Sequence, residues 1–377
     1  MKKILYASQK MHVPMSEGGG EVIAFDLLSE VQKTGLGQVS TLGSFKYIEV
    51  HKLNQHLIEA NSNLILNQQG TQLKTYKNEE LVIPGLTHLE YVMPNSYRTT
   101  LARDDHYSIS FDEFIRQFNP DACLLQAEGA LEAWSKLSLR NNCKTMLYVQ
   151  NGLEPNQFKQ YNISPPTCLA NSKFIQSMIK SKFNLESHLL YPAINIERYF
   201  TDHLQKDENE KFTVLYINPN QVKGLNVFLH VAKALPNINF KVLEGWAPIS
   251  PNLKHHLTQF PNVECLDRTW DIVNIYNSVD MLMVPSQWEE AFGRVVVEAH
   301  AAGLPTIASQ VGGLPEASGE AGLLVPDFKN AETWAKTIQH VEANRSMIEE
   351  RKPLLKQNAE RFTPDKAAKT FMEIINT

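Results

Sequence analysis

Short apolar segments alternate with amphipathic segments along both halves of this 377-residue chain. In the first half, Lys3–Ala7 and Lys144–Val149 have the length of buried strands, and Glu21–Val31 places apolar residues at helical spacing. The second half contains strand candidates at 212–217, 239–243, 263–266, 281–284, 306–309 and 322–325, with helices predicted near 224–235, 270–278, 293–302 and 331–345. Such alternation is typical of parallel sheets with crossover helices, so the sequence predicts two doubly wound α/β domains.

A polar and charged run at Asp202–Lys211 separates the two series and predicts a linker. The domains are therefore predicted at 1–195 and 205–361. Residues 45–115 show no clear periodicity and are predicted to be rich in loops.

Composition excludes several classes of protein. The net charge of −5 argues against nucleic-acid binding. No apolar run approaches the roughly 18 residues of a membrane helix, and the four cysteines lack metal-site spacing. The sequence predicts a cytoplasmic protein. The amphipathic stretch Lys173–Phe183 leaves peripheral membrane contact open, although a packing helix is the better interpretation.

Two carboxylates flank a small-residue turn directly after one predicted strand. Glu290 precedes Phe292-Gly293-Arg294, and Glu298 follows within the next predicted helix. The turn therefore joins the C-terminal end of a strand to the N-terminus of a helix, where open parallel sheets bind ligands and free N–H groups favour phosphate or hydroxyl oxygens. Without further context, such a pair more often belongs to the surface of a helix.

The context of these glutamates resembles the family 4 retaining glycosyltransferases, which have the GT-B fold. The matching residues are Pro285-Ser286, Glu290, Phe292-Gly293, Glu298-Ala299, Ala302-Gly303, Pro305, Gly312-Gly313, Glu316 and Gly322. The resemblance implies two facing Rossmann-like domains with a cleft between them. It places the acceptor on the first domain and the nucleotide-sugar donor on the second, with a C-terminal helix at 362–377 packing back on the first.

The resemblance also implies roles for individual residues. Glu298 would bind the nucleotide ribose, and Glu290 would bind hydroxyls of the transferred sugar, since a carboxylate accepts two hydrogen bonds at once. Lys223 would neutralise the diphosphate. Backbone N–H groups of Phe292, Gly293 and Arg294 would assist at the helix start.

The sequence departs from the family at two places. Asn218 stands where relatives carry an arginine near the diphosphate, so either Arg268 or Arg294 supplies that charge or the diphosphate binds more weakly. Gln150 and Asn151 stand where relatives often carry a histidine that meets the sugar. Either side chain can form a hydrogen bond with a hydroxyl of the sugar or the acceptor, but neither is a general base.

The glycine-rich run at residues 18–20 is a third candidate. Gly19 and Gly20 are placed to let backbone N–H groups approach a phosphate. A plain turn is an equally good interpretation of this run, because the dinucleotide fingerprint is absent.

The sequence therefore predicts a retaining glycosyltransferase of hexosyl or N-acetylhexosaminyl type, acting on a carbohydrate, lipid or other hydroxyl acceptor. No cofactor and no metal are expected, because no Asp-x-Asp pair is present and Asp104-Asp105-His106 is better interpreted as a charged loop. Two alternatives stay open. One is another GT-B enzyme, such as a nucleotide-sugar epimerase or a phosphorylase. The other is a nucleotide-sugar-binding protein that has lost catalysis.

Overall fold

A computed structural model describes most of the chain: residues 1–8, 19–45, 63–65, 88–92, 96–103, 107–126, 137, 142–151, 166–200, 211–245, 248–269 and 271–377. The chain divides into two compact units. The N-terminal unit contains Met1–Ala193 and Pro364–Thr377, and the C-terminal unit contains Ile194–Thr363. Except for Lys211, the predicted linker lies outside the described residues.

The described strands of the N-terminal unit form one sheet in the order β3-β4-β5-β2-β1-β6-β7-β8-β9. Their bounds are β1 (Lys2–Ser8), β2 (Gly37–Phe45), β3 (Asn63–Ile65), β4 (His88–Val92), β5 (Arg98–Arg103), β6 (Ala122–Gln126), β7 (Lys144–Val149), β8 (Thr167–Ala170) and β9 (Ser187–Leu189). β4 runs antiparallel to both of its neighbours, and the other pairs are parallel.

Three described helices accompany these strands, and the last helix of the chain joins them. They are α1 (Gly19–Lys33), α2 (Tyr107–Phe118), α3 (Lys173–Phe183) and α11 (Pro364–Asn376). α1 and α11 bury Leu28 and Phe371 in the same hydrophobic core. The terminal helix is thus part of the N-terminal unit.

The prediction that residues 45–115 are rich in loops was wrong over β3, β4, β5 and the start of α2. These elements escaped notice because β5 has the mixed sequence Arg-Thr-Thr-Leu-Ala-Arg and β3 is only three residues long. Asp104-Asp105-His106 lies outside the described residues.

α3 buries Ile175, Met178 and Ile179 within its own unit. Its apolar face is therefore used in packing, which supports the interpretation as a packing helix. None of the helices in the described part of the chain is long and apolar enough to cross a membrane. The cytoplasmic location stays a prediction.

The sheet of the C-terminal unit is parallel throughout and has the order β12-β11-β10-β13-β14-β15. The strands are β10 (Thr213–Ile217), β11 (Asn239–Leu243), β12 (Val263–Leu266), β13 (Met281–Val284), β14 (Thr306–Ser309) and β15 (Leu323–Val325), which confirms each strand predicted for this half. Counted from β10, this is the 3-2-1-4-5-6 order of the Rossmann fold.

The helices of this unit are α4 (Leu225–Ala234), α5 (Pro251–Leu257), α6 (Ile272–Asn277), α7 (Arg294–Ala301), α8 (Leu314–Ser318), α9 (Ala331–Ala343) and α10 (Ser346–Ala359). α5, α8 and α10 were not predicted, and Pro353 lies inside α10. Phe228 packs between two strands, with its ring centroid 4.7 Å from that of Tyr216 and 5.6 Å from that of Phe240. The core thereby holds β10 and β11 in place beneath α4.

Each sheet has a point where the strand order reverses. The chain leaves β1 towards β2 and later returns to β6 on the other side of β1, and it leaves β10 towards β11 and returns to β13. In open α/β sheets the crevice outside the carboxyl ends of such strands is where ligands bind.

Candidate functional site

At the reversal point of the C-terminal sheet, the loop after β10 and the loop after β13 pack backbone against backbone. Gly224 follows the loop after β10, has φ +90°, and leaves no room for a side chain, because a Cβ there would lie 1.9 Å from the carbonyl oxygen of Pro285. The N–H of Gln287 donates to the carbonyl of Val222 at 2.8 Å. This packing brings Lys223 on the first loop beside Glu290 on the second.

Glu290 lies buried at the centre of this contact, with 8% of its surface exposed. Its carboxylate forms an ion pair with the Nζ of Lys223 and accepts a hydrogen bond of 2.6 Å from the Oγ of Ser286. The two residues predicted to serve one donor molecule therefore lie together, and without a ligand they neutralise each other. A pair this buried costs desolvation of both charges, so removing one partner leaves an uncompensated charge.

The Gly312-Gly313 motif acts through its backbone. The N–H of Gly313 donates to the carbonyl of Glu290 at 2.7 Å, and a Cβ on Gly312 would lie 2.4 Å from that same oxygen. These glycines let the start of α8 approach closely enough to fix the main chain of Glu290.

The backbone of Lys223 is held from both sides by side chains. Its N–H donates to the Oδ1 of Asn220 at 3.0 Å, and its carbonyl accepts from the hydroxyl of Tyr216 at 3.1 Å. Asn220 in turn donates to the Oδ1 of Asn218 at 3.2 Å. The backbone of the loop is thus fixed before a ligand binds. The side chain of Lys223 can then bind either Glu290 or a ligand.

Asn218 has a structural reason to be asparagine. Its φ is +63°, a left-handed conformation that asparagine adopts more readily than most residues. A Cβ on Gly245 would lie 2.5 Å from the Cβ of Asn218, so this side is closely packed. Asn218 is thus a turn residue whose amide oxygen accepts a hydrogen bond from Asn220, and its predicted place in the donor site stays a prediction.

Trp288 lies beside Lys223 and was not among the site residues predicted from the sequence. Its ring centroid lies 5.5 Å from the Nζ of Lys223, and 45% of the residue is exposed. A large exposed aromatic two residues before Glu290 was the available signal.

Glu298 lies in a second group of charges, on α7. It forms an ion pair with Arg294 one turn earlier and accepts a long hydrogen bond of 3.5 Å from the hydroxyl of Tyr276. Burial, followed by the charge of Glu298, raises the pKa of both Tyr276 and Tyr199. Among the described residues, Glu298 and Glu290 share no hydrogen-bond or ion-pair partner, so the two glutamates occupy separate hydrogen-bonded groups.

The remaining candidates of this unit are two residues with backbone groups at the helix start, Phe292 and Gly293, and two arginines, Arg268 and Arg294. Gly293 has φ +102° and precedes α7, which begins at Arg294 as the sequence predicted. Phe292 buries its side chain edge-on against Phe362, with the ring centroids 5.0 Å apart, so only its backbone is a candidate for donor contact. Arg268 is exposed after β12, at the outer edge of the sheet and two strands from β10, and Arg294 is paired with Glu298. Among the described residues, neither arginine therefore joins the hydrogen-bonded group of Lys223 and Glu290.

In the N-terminal unit, Gly19 and Gly20 are the first residues of α1, and Gly18 lies outside the described residues. Gly20 packs on two glutamines, since a Cβ there would lie 2.2 Å from the Nε2 of Gln126 and 2.6 Å from the Oε1 of Gln150. Gln150 is buried and Asn151 is exposed. The glycine run and Gln150 therefore meet as one group, to which Gln126 at the end of β6 also belongs.

Residues 199–361 match the family model described as Glycosyl transferases group 1. This segment belongs to the group 1 glycosyltransferases. It lies wholly within the C-terminal unit and contains Lys223, Glu290 and Glu298.

Among curated proteins, part of the chain is similar to proteins named D-inositol 3-phosphate glycosyltransferase. The chain is 36% identical over 132 residues to the D-inositol 3-phosphate glycosyltransferase of Corynebacterium glutamicum (strain R), which is 31% of each protein. It is 47% identical over 72 residues to the enzyme of that name from Mycolicibacterium smegmatis, or 19% of this chain and 16% of the relative. Each of these matches spans less than a third of the relative.

Solved structures match over the full chain. Sucrose-phosphate synthase from Thermosynechococcus elongatus has a TM-score of 0.76 at 16% identity, covering 100% of this chain and 98% of that one. Anabaena HepE in complex with UDP and glucose has a TM-score of 0.73 at 14% identity, covering both chains completely. At these identities the likeness shows the fold, and it confirms the predicted GT-B class.

Proposed function

We propose that this protein is a retaining glycosyltransferase that moves a sugar from a nucleotide-sugar donor to an acceptor hydroxyl. The observation that carries the proposal is the meeting of Lys223 and Glu290 at the reversal point of a sheet that belongs to the group 1 glycosyltransferases. At such a point the cation can bind the diphosphate of the donor, and the carboxylate can bind the hydroxyls of its sugar.

The ion pair suggests how the donor engages the site. The diphosphate competes with Glu290 for the Nζ of Lys223, and the carboxylate that is released can accept hydrogen bonds from hydroxyls of the transferred sugar. As the bond between the anomeric carbon and the phosphate oxygen breaks, the leaving diphosphate gains charge. Lys223 then stabilises the transition state more than the bound donor, which is the requirement for catalysis.

Glu298 retains capacity to bind the nucleotide ribose. Its pairing with Arg294 occupies one side of the carboxylate, and the contact with Tyr276 at 3.5 Å is long. A carboxylate offers about four acceptor positions, so a pair of ribose hydroxyls can bind without breaking the ion pair.

We propose a hexose as the transferred group and a uridine nucleotide as the carrier. Support comes from Anabaena HepE, whose structures contain UDP-glucose or UDP with glucose. The relatives named D-inositol 3-phosphate glycosyltransferase make a polyol one candidate acceptor. N-acetylhexosamine donors stay open as the alternative.

We also propose that transfer needs no metal ion. Among the described residues there is no group of three or more histidine, cysteine or acidic side chains that could hold one, and Lys223 can meet the diphosphate charge. Transfer assayed with a chelator present should proceed at the normal rate. A complete loss that magnesium or manganese restores would contradict this.

The deciding experiment is a panel of UDP, GDP and ADP sugars, offered with and without simple sugar and polyol acceptors. We expect transfer with one donor, and product in which NMR shows the anomeric configuration of that donor. Isomerised donor would indicate an epimerase, cleavage by free phosphate would indicate a phosphorylase, and saturable binding without turnover would indicate a binding protein.

A further inference from the structure

Trp288 presents a large aromatic ring to solvent at the place where the loops after β10 and β13 meet. It lies two residues before Glu290, and 45% of the residue is exposed. The centroid of its ring lies 5.5 Å from the Nζ of Lys223, within the distance at which the face of an aromatic ring attracts an ammonium group. Among aromatic side chains, tryptophan gives the strongest attraction of this kind. The ring is therefore a second partner of the lysine that pairs with Glu290.

The backbone fixes the spacing between this ring and this lysine. Gln287, directly before Trp288, donates its N–H to the carbonyl of Val222, directly before Lys223, at 2.8 Å. The Nε2 of Gln287 also donates to the carbonyl of Pro285 at 2.9 Å. Because the first bond joins the immediate neighbours of the ring and of the lysine, their two main chains keep one spacing even when a side chain changes its partner.

The two partners of Lys223 respond differently to an anionic ligand. Glu290 is itself an anion, so it competes with a diphosphate for the N–H donors of the lysine. The ring of Trp288 is neutral and attracts the ammonium group through its negative face. An ammonium group has three donors, so it can stay against the ring while it donates to phosphate oxygens. Trp288 is thus the partner that a ligand has no need to displace.

We propose that Trp288 is a positioning residue for Lys223. It holds the ammonium group against its ring when Glu290 turns to the transferred sugar, so that the charge faces the diphosphate. The proposal rests on the proposed function, in which the diphosphate binds Lys223. A lysine side chain is flexible and its ammonium group is strongly hydrated. The ring limits that freedom, and a charge held in place before reaction stabilises a leaving group better than one that must be ordered during it.

An exposed tryptophan can instead stack directly on a ligand, and the two roles affect different ligand groups. Positioning through Lys223 changes only the binding of ligands that carry the diphosphate, and the effect disappears when the lysine is absent. Stacking on the base would change the binding of nucleoside and nucleotide alike. Stacking on the sugar would change neither and would weaken only the nucleotide sugar.

The first test compares UDP with uridine, which lacks the diphosphate, or the corresponding pair for the base that the donor panel selects. NMR titration of the full chain gives the ratio of the two affinities. We expect Trp288→Leu to lower this ratio about fivefold, and Trp288→Phe to lower it less because phenylalanine keeps a ring face. When Lys223→Met is already present, adding Trp288→Leu should leave the ratio unchanged. An unchanged ratio in Trp288→Leu alone, or an equal fall with and without the lysine, would overturn the proposal.

The second test measures single-turnover transfer at saturating donor. Trp288→Leu should slow transfer about tenfold, whereas Trp288→Phe should restore most of the rate. Fluorinated tryptophans, placed at position 288 alone, keep the shape of the indole but weaken the negative face of its ring. The rate should therefore fall with each added fluorine atom. A rate that stays constant along this series would show that the ring acts through its shape, against the proposal.

The matched control is Phe200→Leu. It removes an exposed ring that lies 5.9 Å from the Nζ of Lys356 in the same unit, so it deletes the same kind of contact away from the ion pair. It should change neither the affinity ratio nor the rate of transfer. A loss equal to that of Trp288→Leu would mean that removing any exposed ring has this effect, and the proposal would fail.

The binding test does not depend on turnover, so the two proposals can fail separately. If the wild type transfers a sugar and Trp288→Leu behaves like it in both tests, this inference fails and the proposed function stands. If no nucleotide sugar is turned over, but Trp288→Leu lowers the affinity ratio only when Lys223 is present, the proposed function fails and the positioning role stands. Failure of every nucleoside diphosphate to bind would overturn both.

Discussion

The two units present the same strand order at their reversal points but opposite polar chemistry. In the C-terminal unit, Lys223 and Glu290 carry full charges, and each is already paired. In the N-terminal unit, Gln150 and Asn171 are neutral, and each keeps one buried atom without a partner among the described residues. Charges must be neutralised when the ligand is absent because an unpaired buried ion costs far more than an unpaired amide. A ligand that binds Lys223 must therefore displace Glu290, whereas the unpaired atoms of Gln150 and Asn171 have no internal partner to displace.

The largest effect should follow from removing the lysine. Lys223→Met should slow single-turnover transfer at saturating donor on the order of 100-fold, since one charge-assisted contact to the leaving group is lost. It should also lower the free energy of unfolding by about 3 kcal/mol, because Glu290 is left buried without its partner.

The double variant Lys223→Met with Glu290→Gln separates these two effects. Chemical denaturation should show most of the stability restored, while transfer stays slow. A double variant as unstable as the single one would mean that Lys223 contributes packing rather than charge.

Glu298 tests whether the second charged group serves the nucleotide. Glu298→Gln should weaken UDP binding by about 1–3 kcal/mol, because a carboxylate that accepts two ribose hydroxyls becomes an amide. Calorimetry on this variant is compared with Glu350→Gln, an exposed residue of α10. Equal UDP affinity in the three proteins would remove Glu298 from the site.

His300 is a buried polar group of the C-terminal unit whose two ring nitrogens both have partners, unlike the side chains of Gln150 and Asn171. Its ring nitrogens contact the hydroxyl of Thr306 at 2.9 Å and the amide of Asn358 at 2.8 Å, and burial lowers its pKa to about 3. The unfolded chain binds a proton below its usual pKa of 6.5, whereas the folded chain does not. The stability contributed is therefore full above pH 6.5 and lost as the pH falls towards 3.

Relative to pH 8, this histidine should cost about 1.4 kcal/mol at pH 5.5. Denaturation at both pH values, in the wild type and in His300→Gln, measures the difference. A pH dependence that is the same in both proteins would show that the imidazole is not held neutral.

Asn218 gives the smallest effect and tests its assignment as a turn residue. Asn218→Gly should keep the fold and the transfer rate, whereas Asn218→Arg should lose about 1 kcal/mol of stability, since the left-handed conformation is strained for arginine. A faster Asn218→Arg enzyme, measured by single turnover, would show instead that the missing charge limits transfer.

The sequence predicted the strands of the C-terminal unit because each is a short apolar run bounded by turn residues. It also placed Glu290 in the loop after β13 and a helix start near residue 293, since local pattern fixes where a strand ends and a helix begins. In the N-terminal unit the same signals failed over β3, β4 and β5, whose short or mixed-polarity sequences carry little periodicity.

The sequence alone could not predict which side chains pair with each other. Lys223 and Glu290 are 67 positions apart, and the backbone packing of their two loops, with Gly224 against Pro285, brings them into contact. The side-chain hydrogen bonds from Tyr6 through Gln126 to Gln150 likewise join three elements far apart in sequence. Residue types determined which chemistry the chain could perform, because carboxylates, lysines and amides have fixed donors and acceptors. Which of those groups are paired and which are left open was decided by the tertiary structure, because pairing depends on distances that only the folded backbone sets.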